Sequence, residues 1–281
     1  MDYLRKALGK TLVSIKKRKM LFALLLFLQI IFLALSLYTS THYLIQILED
    51  TQGIIQPLEN ANYDSQSIEQ GDPFTPDYLS IYNSYQSMLR TILTFSGWMI
   101  LLFLTINGSI WLWSHWLLQE KKDWKSRMKE AARFFLKAGS SALLLVGSFA
   151  VISYFVLLHY VSISDSFTKL ALVLKLLLIS LLVVYYFLLS ALALASTGSW
   201  RNFVKNWIKI SFLTFSKTMV LFFTLAAILS ASFIILYVAI EFGESVLLLL
   251  ITGAINVLAL VLVRIFWIAG IEEIQHEAHH H

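Results

Sequence analysis

Six long apolar runs decide what this chain can fold into. They cover approximately residues 20–43, 89–113, 138–160, 170–196, 218–240 and 246–268. A helix needs about 20 apolar residues to cross a hydrocarbon core about 30 Å thick. Each run meets that length, and none alternates with the two-residue period of a barrel strand. Composition agrees. Of 281 residues, 58% are hydrophobic and 14% charged, and mean hydropathy is +0.72, whereas soluble domains carry about 25% charge. An ordinary soluble domain, a disordered chain and a nucleic-acid-binding domain are excluded. The absence of cysteine excludes disulfide scaffolds, thiolate-bound zinc and cysteine nucleophiles. The fold class expected is an all-α integral membrane protein with six transmembrane helices, forming one polytopic domain over residues 1–281.

Basic residues set the orientation, because positive loops stay cytoplasmic. They cluster before run one (Arg5, Lys6, Lys10, Lys16, Lys17, Arg18, Lys19), after run two (Lys121, Lys122, Lys125, Arg127, Lys129, Arg133, Lys137) and after run four (Arg201, Lys205, Lys209, Lys217). The opposite connections carry acids, among them Glu49, Asp50, Glu59, Asp64, Asp165, Glu241 and Glu244. Both termini are therefore expected in the cytoplasm, with the 49–86 loop outside, in a plasma membrane of prokaryotic type. Trp111, Trp113, Trp116, Trp124, Trp200, Trp207 and Trp267 gather toward the cytoplasmic side, as interfacial indoles do. Run one begins like a signal peptide, with a tolerable cleavage site at Ala34-Leu35-Ser36. Its length and the repeat described next argue that it is retained.

The charge is periodic. Trp124, Lys125, Lys129 and Arg133 recur, at a constant offset of 76 residues, as Trp200, Arg201, Lys205 and Lys209. A spacing of four places the bases on one helical face. Met128, Phe134, Phe135 and Leu136 accompany the first set; Phe203, Val204, Trp207, Ile208 and Phe212 accompany the second. A helix with one basic and one apolar face lies in the membrane interface. Lys6 and Lys10, with Leu4, Leu8, Leu12, Val13 and Ile15, make a looser third copy. The expected architecture is three tandem units, each an amphipathic elbow helix followed by a transmembrane hairpin. They run over about 1–121, 122–197 and 198–271, with 272–281 as a cytoplasmic tail. No run contains proline, which excludes the proline-acid-basic signature of mitochondrial carriers.

The 49–86 segment is acidic and reads as the one sizeable extramembrane loop. Thr75-Pro76-Asp77 reads as a helix start, with Thr as N-cap and Pro in the first turn. Within the runs, ionisable and amide side chains are the candidates for function. Lys175 would offer a cation to an anion or a headgroup. Asn107 and Asn256, beside small residues, are suited to bonding across a helix contact or to lining a polar path, and Gln29 is a weaker case. His42 and His159 sit at outer ends, Arg264 near an inner one, and the chain closes on a His-rich tail.

No phosphate loop, dinucleotide fingerprint, zincin helix or nucleophile elbow is present, and no carboxylate lies inside a run. No cofactor or metal is expected, and no enzymatic activity. The expected role is a non-enzymatic membrane protein that engages anionic lipid or organises a membrane complex. Lys125, Lys129, Arg133, Arg201, Lys205 and Lys209 would contact the lipid. The expected partners are membrane lipids, another membrane protein or a second copy of the chain, and not nucleic acid. The alternative is a passive transporter or channel for a small solute, lined by Asn107, Lys175, Asn256 and Gln29. An enzyme acting on lipid from the 49–86 loop is a third, weaker option.

Overall fold

The computed structural model describes residues 2–60, 78–119, 123–161, 167–196, 198–242 and 245–277. Every regular element among them is helical: α1 (Asp2–Lys17), α2 (Lys19–Asn60), α3 (Tyr78–Leu102), α4 (Gly108–Leu118), α5 (Trp124–Val161), α6 (Phe167–Leu194), α7 (Trp200–Ile208), α8 (Phe215–Phe242) and α9 (Val246–Glu277). Two π-helical turns, Phe103–Asn107 and Lys209–Leu213, join α3 to α4 and α7 to α8. Six helices are long and apolar enough to cross a membrane, and the fold is compatible with a multi-pass membrane protein. The chain divides into two units, Met1–Gln29 with Gly108–His281, and Ile30–Asn107.

In the Ile30–Asn107 unit, α2 and α3 run antiparallel. The ring centroids of Tyr43 and Phe95 are 5.8 Å apart, and Thr51 Oγ1 lies 3.8 Å from Met88 Sδ. At Gly53, an added Cβ would meet Ser84 Oγ at 2.6 Å, so a side chain there would push the helices apart. Residue numbers rise along one helix as they fall along the other, as in a hairpin. This pairing corrects the loop reading of 49–86. Residues 49–60 continue α2 and residues 78–86 open α3, because the close contact at Gly53 and the Thr51–Met88 contact extend the hairpin past the apolar runs. The Thr75-Pro76-Asp77 start lies outside the described residues, two residues before α3 begins. At 42 residues, α2 is about 63 Å long at 1.5 Å per residue, about twice the hydrocarbon core.

In the other unit, α9 is central and packs on α8, α1, α4 and α6. Its second half is buried nearly all round: Val261, Ile265, Trp267, Ile268, Ala269, Gly270, Ile271 and Ile274. A helix that is apolar on every side belongs inside. Its first half is different, with Val246, Leu247, Leu250 and Ile251 exposed. The same division holds elsewhere. Ala138, Ala142, Tyr186, Ala191–Ala195, Phe203, Ile210 and Leu221 are buried, while Tyr154, Phe155, Leu174, Leu178, Ile234 and Tyr237 are exposed. The packed core therefore sits at the end carrying α1, α7 and the basic segments. At the other end the apolar surface is left to a non-aqueous surrounding, which lipid tails supply.

Residues 272–277, the start of the segment read as a cytoplasmic tail, continue α9 to Glu277: Ile274 is fully buried, and Glu272 and Glu277 bind Lys10 and Lys217 at 2.7 Å each. The basic segment at 124–137 is not a separate elbow. It continues into the third apolar run as one unbroken 38-residue helix, because nothing between Arg133 and Ala138 breaks the backbone ladder. By contrast, α1 is set off from α2 at Arg18, and α7 from α8 by the π turn and Thr214, whose φ of −106° leaves the helical region.

Candidate functional site

The basic end of the packed unit is built around α7. Gly198, at φ +37°, turns the chain in a conformation that L side chains rarely adopt. Ser199 then caps the helix, its side chain accepting from the Asn202 amide at 3.4 Å. Phe203 is buried, and it stacks with Trp207 at 6.1 Å between ring centroids. The Trp207 indole donates to the Phe187 carbonyl of α6 at 3.1 Å. This aromatic anchor fixes which face of α7 points outward. Arg201 and Lys205 lie exposed on it and Lys209 is half-buried, beside exposed Trp200, Ile208 and Phe212.

The start of α5 is arranged in the same way. Phe134 is fully buried, while Lys125, Lys129 and Arg133 are exposed, next to exposed Trp124, Met128 and Leu136. Lys137 is the fourth residue in that four-residue stride and behaves oppositely. It is buried, its Nζ donates to the Gly198 carbonyl at 3.0 Å, and it lies 5.4 Å from the centre of the Phe203 ring. A cation over an aromatic face is attracted to the ring's negative face. Lys137 thus ties the two basic segments together. Among the described residues, no ion pair takes up Lys125, Lys129, Arg133, Arg201 or Lys205.

Beneath this junction lies a buried polar contact. His115 of α4 has no exposure. Its Nε2 is 3.0 Å from the Leu192 carbonyl and its Nδ1 is 3.1 Å from Ser196 Oγ. A carbonyl only accepts, so Nε2 carries the proton and Nδ1 accepts from the serine hydroxyl. Nearby, the Arg264 guanidinium lies 5.4 Å from the centre of the Trp111 ring, and the Trp267 indole donates to the Leu189 carbonyl at 2.9 Å.

No protein-family model, curated protein or solved structure matches this chain. The arrangement is therefore read from its own residues.

The amide and lysine candidates are dispersed. Asn256 is buried and donates to Ser232 Oγ across α9 and α8 at 3.3 Å, the inter-helix bond its small neighbours suggested. Lys175 is exposed on α6 between exposed Leu174 and Leu176, with no ion-pair partner among the described residues. Asn107 is buried at the end of the first π turn. Gln29 is buried, and its Oε1 has no hydrogen-bond partner among the described residues. His42 lies 3.4 Å from Gln46 one turn along its own helix, and the His159 side chain lies outside the described residues.

Sequence reasoning missed the roles of His115, Ser196, Trp116 and Arg18. The first three sit in stretches so uniformly apolar that no periodicity marks an inward face. Lys137 carried a readable signal, as the last residue of the four-residue stride. The switch of its side chain from outside to inside depends on α7 packing there.

Proposed function

We propose that this chain is a non-enzymatic membrane protein that engages anionic lipid through the basic faces at the start of α5 and on α7. The observation that supports this reading is the division of labour on those two segments. Phe134, Lys137, Phe203 and Trp207 hold them to the core, while Lys125, Lys129, Arg133, Arg201 and Lys205 are exposed, with no carboxylate partner among the described residues. Exposed Trp124, Met128, Trp200 and Ile208 lie among the cations. Cation and apolar side chain on one surface match a headgroup region, where charge meets phosphate and the apolar part enters the acyl boundary.

In this reading the segments and both termini face the cytoplasm. An anionic leaflet holds a surface potential of roughly −30 mV there, and each Lys or Arg near it contributes about 1 kcal/mol. Lys209, half-buried, contributes less than the five exposed cations.

The test is the lipid retained by the wild-type chain and by a variant with all six cations changed to Gln, each extracted into polymer discs from a membrane of known composition. Anionic phospholipid enriched around the wild type and at bulk level around the variant supports the proposal. Equal enrichment around both, with insertion and orientation unchanged, would overturn it.

A further inference from the structure

A second, narrower feature lies on the same basic end, at Trp116. Two arginines meet this residue, which carries a third donor of its own. Arg18, at the break between α1 and α2, donates its Nη1 to the Trp116 carbonyl. Arg127, in the first turn of α5, places its guanidinium carbon 5.3 Å from the centre of the Trp116 ring. Trp116 is more than nine-tenths buried, and its Nε1 has no hydrogen-bond partner among the described residues. A buried N–H without an acceptor is costly and marks a place where an acceptor belongs. Among the described residues no ion pair engages Arg18 or Arg127, although Glu130 lies on the same helix as Arg127 and Asp123 immediately precedes it.

We propose that Arg18, Arg127 and the Trp116 indole N–H form a site for one phosphate group, that of an anionic lipid headgroup. The chemistry fits phosphate closely. A guanidinium presents a planar fork of donors that matches phosphate oxygens in pairs. Arg18 spends one nitrogen on the carbonyl and keeps the rest of its fork. Arg127 rests on the ring rather than on a carboxylate, and it is half-buried on an exposed first turn. A phosphate drawn to Arg127 at the ring gives the indole N–H an acceptor as well. The two arginines lie on separate segments, at the α1–α2 break and in the first turn of α5, so a bound phosphate also clamps that break to α4 and α5. This site rests on the lipid-engaging reading and differs from it in kind: one headgroup at three named donors rather than a shell of lipid held by surface charge.

The test is native mass spectrometry of the full chain in detergent, titrated separately with phosphatidylglycerol and with phosphatidylcholine. The wild type should keep one phosphatidylglycerol that survives delipidation, with affinity at least about tenfold above phosphatidylcholine, as expected for paired charge-assisted bonds. Arg18→Gln with Arg127→Gln should remove that single adduct. Trp116→Phe keeps the aromatic ring and removes only the N–H, and should weaken the adduct severalfold with the melting temperature held. Inorganic phosphate is the competitor. Failure to displace the lipid at millimolar concentration supports a headgroup site, whereas displacement reassigns the site to free phosphate and overturns the lipid assignment. An adduct retained by the double Arg variant overturns the site. The six-cation variant separates the two claims. If it loses the lipid shell while keeping the single adduct, both stand. If the shell is lost on neutralisation but the adduct ignores Arg18, Arg127 and Trp116, the broad reading survives and this site does not.

Discussion

His115 shows how much a single polar side chain can carry in an apolar interior. Its two ring nitrogens bridge the Leu192 carbonyl and the Ser196 hydroxyl, so α4 is pinned to the end of α6 by one residue. Replacing His115 with Phe leaves the buried Leu192 carbonyl and the half-buried Ser196 hydroxyl without this bond, which costs about 1–3 kcal/mol; Ser196→Ala removes one partner and should cost about 1 kcal/mol. Thermal unfolding of the two variants should rank in that order, and equal melting temperatures would show that the bridge is idle. Asn256→Leu is expected to be milder, since hydrogen bonds between membrane helices contribute about 0.6 kcal/mol on average. Asn256 stood out in the sequence as an amide inside an apolar run, although the neighbouring Gly253 meets open space and Ala254 is exposed, so the contact with Ser232 does not come from small residues beside it. His115 did not stand out, because Trp, Leu and Ser around it give no contrast between faces.

At the scale of elements, the amphipathic stretches were legible and their boundaries were not. The four-residue stride of bases placed Lys125, Lys129, Arg133, Arg201 and Lys205 on outward faces, where they lie. It did not reveal that the first set belongs to an unbroken helix and the second to a short helix ending in a π turn. Those outcomes depend on Gly198 and Thr214, local backbone features that charge spacing does not encode. Helix contact was also invisible where it depends on one glycine. A Cβ at Gly270 would stand 2.5 Å from Leu221 Cδ2 and 3.1 Å from its Cδ1, and Leu221 is fully buried between α8 and α9. Gly270→Ala should therefore destabilise the chain by about 1–3 kcal/mol through overpacking. Leu221→Ala in the same chain should recover part of that loss, giving a non-additive pair. Additive losses in unfolding measurements would place the strain elsewhere. Lys10→Gln, by contrast, removes a half-exposed ion pair with Glu272 and should cost less than about 1 kcal/mol, since Tyr3, Ala7 and Thr11 provide the buried stripe of α1.

At the scale of the whole molecule, six apolar runs became six long helices because run length and uniform hydropathy survive any choice of packing. The position of the core was not legible. Leu, Ile and Val fill both ends of the helices, and only the packed structure shows that side chains are buried around α7 and the second half of α9 and exposed at the other end. The proposed function has both basic segments facing the cytoplasm, and a chain free of cysteine is ready for single-cysteine labelling. Lys125→Cys and Lys205→Cys should react with an impermeant maleimide in inverted membrane vesicles and not in intact cells. The reverse pattern would invert the orientation and move the basic faces away from the anionic leaflet.

The proposed selection of anionic lipid by the charge of these faces is tested most directly by electron spin resonance of the reconstituted wild-type chain with spin-labelled phosphatidylglycerol or phosphatidylcholine, read at low and high salt. A larger motionally restricted fraction is expected for phosphatidylglycerol at low salt, falling toward the phosphatidylcholine value at 1 M salt, where the screening length is about 3 Å. No such difference is expected for the six-cation variant. Equal restricted fractions for the two lipids around the wild type at low salt would contradict the proposed selection.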